Sequence, residues 1–509
     1  MATTSPSQGA KPASPELVFG LVGALGCDLE NVGQRLSVAL ESIGYKSSEV
    51  RVSELIHEFD VWTKPIINGL DEHVEQHQRA GNEVRKTIKR GDALGLAAIV
   101  KIRKIRKTDT GNPDRPMQRH AYVIRSLKRP EEVDALRRVY GTGFFLIGVY
   151  SPKPNRIDKF VHDVARSRGE PMAHNKYRAK AEELIETDQH EMDDQKFGQN
   201  VRDTYPRADV FIDASKREAM GLDIARFIEM LFRHPFQTPR RDEYVMFHAQ
   251  AAAFRSADPA RQVGAAIADS DGNVVAVGTN EVPKVGGGLY WAGESPDRRD
   301  FTLDLDVDME MRKDALGEIL ERLQRSNWLG PDISKQPISK LRETVVPLME
   351  GTKVMGLGEF GRMVHAEMAA ILDAARKGAA TQGHILYCTT FPCHNCAKHI
   401  IASGLARVVY IEPYPKSVAK DLHADEIIDD RQETVTERIT FGSFIGIAPR
   451  QYLNMFSMVP RRAGKKALES WNMNRKQTLP RSPEVNAHLA YVPREKEAVS
   501  ILAQAMGKG

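Results

Sequence analysis

Cysteine is scarce, with four residues in a chain of 509. That is too few for a disulfide scaffold, and free thiols suit a reducing compartment. Charge of one sign is lacking too: 72 basic residues against 68 acidic ones leave +4, no general signature of a polyanion-binding protein. Long apolar runs are missing. No stretch reaches the ~18 uninterrupted apolar residues of a membrane span, so none is expected. The opening MATTSPSQGAKPASPE has neither a basic region nor an apolar core. No signal peptide is expected, and the expected location is cytoplasmic. No internal repeat stands out, and the length suits two or three domains.

Two of the four cysteines carry the strongest signal. His365-Ala366-Glu367 is followed by Pro392-Cys393-His394-Asn395-Cys396, with Cys393 lying 28 residues beyond His365. His365, Cys393 and Cys396 are three soft metal ligands, and Glu367 is a spare carboxylate. A structural zinc takes four protein ligands, whereas a catalytic one takes three and keeps a position for water. Met368, Ile371, Leu372 and Ala375 recur at helical spacing, so His365 and Glu367 belong to the first turn of a buried helix. HILYCTT (384–390) reads as a strand, and CHNCAKHIIASGL as a second helix closed by Gly404. Cys393 and Cys396 then share one helix face at i, i+3, where the helix N-terminus favours the thiolate. The alternative is a structural clip, which needs a fourth ligand. His384, His394 and His399 are close in sequence but read as ordinary strand and helix residues.

This pattern resembles the H-x-E…P-C-x-x-C signature of the zinc nucleobase deaminases. The resemblance implies Zn2+ as cofactor and Glu367 as general base and acid. Zinc in such a site supplies a water acidified from 15.7 to about 7. The carboxylate would pass that proton to the base, and cytosine would become uracil.

Upstream, DPARQVGAAI (258–267) runs through Asp271-Gly272-Asn273 into VVAVGTNEVP, a strand, a tight turn and a second strand. In wording it resembles the opening of deoxycytidylate deaminases. That resemblance implies Val263 and Gly264 under the base and Asn280 on the sugar hydroxyl and base, with Pro392 among the substrate contacts. As a bare residue, Asn280 also reads as a strand-end turn. Between Asn280 and His365 lie 84 residues, too many for a plain loop, so the insertion near 284–360 is expected to carry its own helices. Tyr290 and Trp291 either stack on a base or pack the insert. By charge and position alone, Arg261, Lys284, Arg298, Arg299 and Lys416 are candidates for phosphate contacts.

The N-terminal half differs in kind. LVFGLVGALG (17–26) is an apolar strand breaking into glycines, followed by the helical VGQRLSVALESIGY. It resembles the entry of a P-loop kinase fold, with Gly20, Gly23 and Gly26 forming a degenerate phosphate loop. The Gly-Lys-Ser/Thr ending is absent; Cys27-Asp28-Leu29-Glu30-Asn31 follows instead, which argues against ordinary kinase activity. AYVIRSL, FFLIGVY and ADVFIDAS alternate with helical stretches, the pattern of a parallel sheet covered on both faces.

The fold class is therefore α/β: a tail over 1–15, a P-loop kinase-like parallel α/β domain over 16–235, and a cytidine deaminase-like α/β/α domain over 244–460. A basic C-terminal extension, read as loosely held, covers 461–509. With IRSLKRPEEVDALRRVYGTGFFLIGVYSP and NVRDTYPRADVFIDAS, the pairing resembles the bacterial anti-phage dCTP deaminases. That resemblance implies conversion of dCTP, and of dCMP, to the deoxyuridine nucleotide during defence, with a regulatory nucleotide or RNA as partner at the N-terminal domain. Homo-oligomers are common among relatives of the deaminase half. Two alternatives stand beside it: a housekeeping dCMP deaminase, and a deaminase acting on nucleic acid. The basic runs at Arg85–Lys107 and Arg461–Arg481 speak for the last, although both suit a solvated face and lack interleaved aromatics. KIRKIRK, alternating charge with isoleucine, reads as a half-buried strand or a binding edge.

Overall fold

The computed structural model describes residues 15–63, 67–191, 196–304, 307–349, 352, 354–356, 360–414, 417–429, 437–463, 467–468, 471, 479–481 and 488–507. The expected tail lies almost wholly outside these residues, as do Lys416 and much of the C-terminal basic run. Two compact units emerge: residues 1–243 together with 443–509, and residues 244–442.

The first unit is built on strands β1 (Leu17–Val22), β2 (Lys46–Arg51), β3 (His120–Arg125), β4 (Phe144–Tyr150) and β5 (Val210–Asp213). They run parallel in the order β5-β4-β1-β3-β2. A short strand, Gly446–Ile447, adds antiparallel to β5. Every residue of β1 is buried, because helices cover both faces of a parallel sheet and leave no wet side. On one face Leu17, Phe19 and Leu21 pack with Val32, Leu36 and Leu40 of helix Leu29–Ser42 and with Phe227.

KIRKIRK is helical, inside Ala93–Thr110, and not a strand. The alternation misleads because Arg106 is itself a core residue. It is fully buried and donates to Glu16 and to Glu495. Glu495 belongs to helix His488–Ala505, so the end of the C-terminal extension is docked in the first unit, not loosely held. Residues 443–460 group with that unit as well: Ala448 N donates to Asp209 O, and Gln451 Nε2 to the Asp209 carboxylate.

The second unit holds β6 (Gly264–Ala268), β7 (Val274–Thr279), β8 (Ile385–Thr390), β9 (Arg407–Glu412), β10 (Ile427–Asp429) and β11 (Ile439–Ser443). Their order is β10-β11-β9-β8-β6-β7. β6 is antiparallel to β7 and β8, while β8 and β9 are parallel. The insertion carries helices Val307–Arg325 and Ile338–Leu348, which bury Leu316, Leu320 and Leu341 as a small core of their own. Among the described residues no helix is long and apolar enough to cross a membrane.

Candidate metal centre

Two helix starts meet over the second sheet. His365 is the N-cap of helix Ala366–Lys377, and Cys393 that of helix His394–Ala402. Cap positions have extended backbone, which turns each side chain across the helix end. Gly383 and Gly404 close the neighbouring turns in left-handed geometry.

His365 Nδ1 lies 3.4 Å from Cys393 Sγ and 3.3 Å from Cys396 Sγ. Ligands at ordinary Zn–N and Zn–S lengths in a tetrahedron stand about 3.6 Å apart, so the spacing fits a zinc ion with little adjustment. The three ligand atoms lie within 4.8 Å of one another, and no fourth His, Cys, Asp or Glu joins them among the described residues. His384 and His399 direct Nδ1 to the carbonyls of Gln382 and Asn395 instead.

The electrostatics suit a metal. The hydrogen bond from Cys396 and the contact with His365 pull the Cys393 thiol down to about 4, so it is a thiolate at neutral pH. The same thiolate raises His365 to about 9. This imidazolium–thiolate pairing describes the group with a proton in the role of the cation; a metal ion replaces that proton. Glu367 is 4% exposed, and burial, with Cys393 nearby, raises its carboxyl. Its Oε2 is 3.5 Å from Cys396 Sγ.

The hairpin residues are spent differently. Gly264 donates to Thr389 Oγ1, and a Cβ there would stand 2.0 Å from Ala249 O, so the close approach of helix Arg241–Ala253 demands glycine. Asn280 accepts from Val263 N and donates both amide hydrogens, to Asp258 Oδ2 and to Arg261 O. It therefore orders the 258–263 loop, which leaves one lone pair on Oδ1 for any ligand. Pro392 is buried, and its carbonyl accepts from Ser417 Oγ. Trp291 is exposed under the Arg255 guanidinium, 3.6 Å from the ring centroid. Of the charged candidates, Arg261 pairs with Glu412 and lies over the Tyr414 ring, Arg299 pairs with Asp297, and Lys284 pairs with Glu294.

Asp258, Thr389, Glu412 and Tyr414 carry no motif of their own. Asp258 influences His365, and Cys393 influences Tyr414. The signal for Asp258 was its place before Pro259; the others are found only through tertiary contact.

In the first unit, the glycine segment is not an open anion cradle. Gly20 lies within β1, where a Cβ would meet Leu127, Phe144 and Leu146; it is a packing glycine, not part of a loop. Gly23 and Gly26 are in the turn, and Gly26 has φ +89°. Leu25 N donates to Asp188 Oδ2, whose other oxygen receives Lys128 Nζ at 2.6 Å. Asp28 caps the following helix through Asn31 N.

Residues 239–412 match the family described as the cytidine and deoxycytidylate deaminase zinc-binding region. The second unit thus carries a zinc-binding domain of that type, with the His/Cys/Cys group in place. The deoxycytidylate deaminase of Enterobacteria phage T2 is 48% identical over 54 residues, 11% of this chain and 29% of the phage protein. The mouse deoxycytidylate deaminase is 24% identical over 217 residues, 43% of this chain and 82% of that protein. A dCMP deaminase structure from cyanophage S-TIM5 superposes with a TM-score of 0.22 at 16% identity, over 40% of this chain and 99% of the other. The chain spans less than a third of the length of the phage T2 relative.

Proposed function

We propose that this protein hydrolyses the exocyclic amine of a deoxycytidine nucleotide, giving the deoxyuridine nucleotide and ammonia. The observation that carries this reading is a buried carboxyl, Glu367, standing beside a three-ligand set that no fourth protein donor joins among the described residues. His365, Cys393 and Cys396 would hold zinc, which supplies Lewis acidity and a water acidic enough to ionise near neutral pH. Glu367 takes a proton from the attacking water and gives it to ring N3 as the oxygen bonds to C4. It then carries a second proton to the departing amine. The raised carboxyl suits both duties, since a pKa nearer neutrality lets one group accept and return a proton. Burial keeps bulk water from intercepting it.

Within this reading the substrates are dCTP and dCMP, and the role is depletion of dCTP during phage infection. Support for dCTP and for defence comes from the wording of the N-terminal half. The relatives from phage T2 and mouse are deoxycytidylate deaminases, which favours dCMP supply as the second reading. A nucleic-acid substrate has less support: Arg85, Arg90, Arg103, Lys104 and Arg106 of the first basic run are all paired with carboxylates.

The test is ammonia release by the zinc-loaded protein from dCTP, dCMP, cytidine and a cytosine-bearing oligonucleotide. Turnover of dCTP, with or without dCMP, is expected. Product from dCMP alone selects the housekeeping reading, and product from the oligonucleotide alone overturns both.

A further inference from the structure

Away from the Cys-bearing centre, the first unit gathers three histidines and a tryptophan. His57 sits on the single turn Ile56–Glu58, and His73 and His77 are i, i+4 on helix Leu70–Ile88. His57 Nε2 and His77 Nε2 are 3.0 Å apart. The Trp62 ring leans at a tilt against both, with centroids at 4.3 Å from His57 and 4.8 Å from His77, and the His73 ring is tilted against His77 at 4.1 Å.

The tautomer of His77 is fixed by its other nitrogen, since Nδ1 donates to His73 O at 2.7 Å. Nε2 therefore carries the lone pair and points at His57. A metal-ligating histidine almost always makes that same bond from its far nitrogen to a carbonyl or carboxylate. Two imidazole nitrogens bound to one ion at about 2.0–2.1 Å, at right to tetrahedral angles, stand about 3–3.4 Å apart. His57 is exposed and His77 partly so, which leaves an ion a path in and room for water in its remaining positions.

We infer that His57 and His77 form a second metal site, for a divalent transition ion of the imidazole-preferring class such as Zn2+, with Trp62 holding the rings in place. Such an ion would staple the turn Ile56–Glu58 to helix Leu70–Ile88 across the intervening chain. Imidazole ligands suit Zn2+, Cu2+ and Ni2+ over the oxygen-seeking ions, so Mg2+ and Ca2+ are not expected here.

Zinc bound by the full-length protein after dialysis against micromolar Zn2+ tests the site. Wild type should hold one equivalent more than the double variant His57→Gln, His77→Gln, with the deamination rate unchanged. Equal zinc contents in two folded proteins would overturn the inference. Should the variant not fold, wild type decides alone through histidine acylation by diethyl pyrocarbonate, mapped by mass spectrometry. Zn2+ should slow modification of His57 and His77 about ten-fold, and equal rates with and without the ion would overturn the site.

Discussion

Glu367 Oε2 and Cys396 Sγ lie 3.5 Å apart, the carboxyl beside the ligand set yet outside it. Proton transfer and metal binding are thereby separable by mutation. Glu367→Gln keeps shape and hydrogen-bonding capacity but cannot shuttle a proton. Zinc content should stay at the wild-type value while kcat falls by about 10²–10⁴-fold. Metal analysis beside a rate assay checks both; near-normal turnover would remove Glu367 from the chemistry.

The position of His365 depends on how closely its helix lies on the sheet. A Cβ on Gly278 of β7 would stand 2.1 Å from Ala366 O and 2.3 Å from Ala370 N, backbone atoms that cannot step aside. Gly278→Ala should therefore lift helix Ala366–Lys377, at a cost of about 3 kcal/mol, the upper end of overpacking penalties. Because the displaced helix carries His365 at its cap, zinc content and activity should fall together. Retention of both, with an unchanged melting temperature, would contradict the packing account.

These cases show what the sequence could and could not reveal. The ligand set is legible because its geometry is local: two helix caps, the first announced by helical periodicity and the second by a closing Gly404, with a strand between. The insertion's helices were legible from length alone. Gly278 was not, because its reason is Ala366, far along the chain, and Gly20 read as a loop residue for want of knowing that Leu127, Phe144 and Leu146 crowd it. KIRKIRK misled for the same cause. An arginine reads as exposed until its partners are known, and those of Arg106 lie 90 and 389 residues away. Resemblance makes Asn280 a ligand, while its amide hydrogens are committed to Asp258 and to Arg261.

Arg106 itself makes a stability prediction. It is fully buried between Glu16 and Glu495, with Tyr122 and Tyr491 also donating to Glu16. Arg106→Met would leave two buried carboxylates without their shared cation. Removing one partner of a buried ion pair costs about 3–5 kcal/mol, so the unfolding transition of the first unit should drop by that amount. Glu495 and helix His488–Ala505 should become accessible to protease at the same time. An unchanged transition, followed by calorimetry, would show that the cluster contributes little.

The pH dependence of the first unit follows from His120, whose Nε2 lies 2.9 Å from Ser48 Oγ. Burial lowers its pKa below the ordinary 6.5, against the opposing pull of Glu16 and Asp109. The unfolded chain then binds the proton at higher pH than the folded one does. Stability is complete above pH 6.5 and declines as pH falls below it, until the folded form also protonates, with a slope of at most about 1.4 kcal/mol per pH unit for one proton. His120→Asn keeps a polar group near Ser48 and removes the titration. Between pH 6.5 and 5 its stability should fall less steeply than that of wild type, as read from urea midpoints of the first unit at each pH. Parallel pH profiles for the two proteins would mean that His120 protonates alike in the folded and unfolded chain.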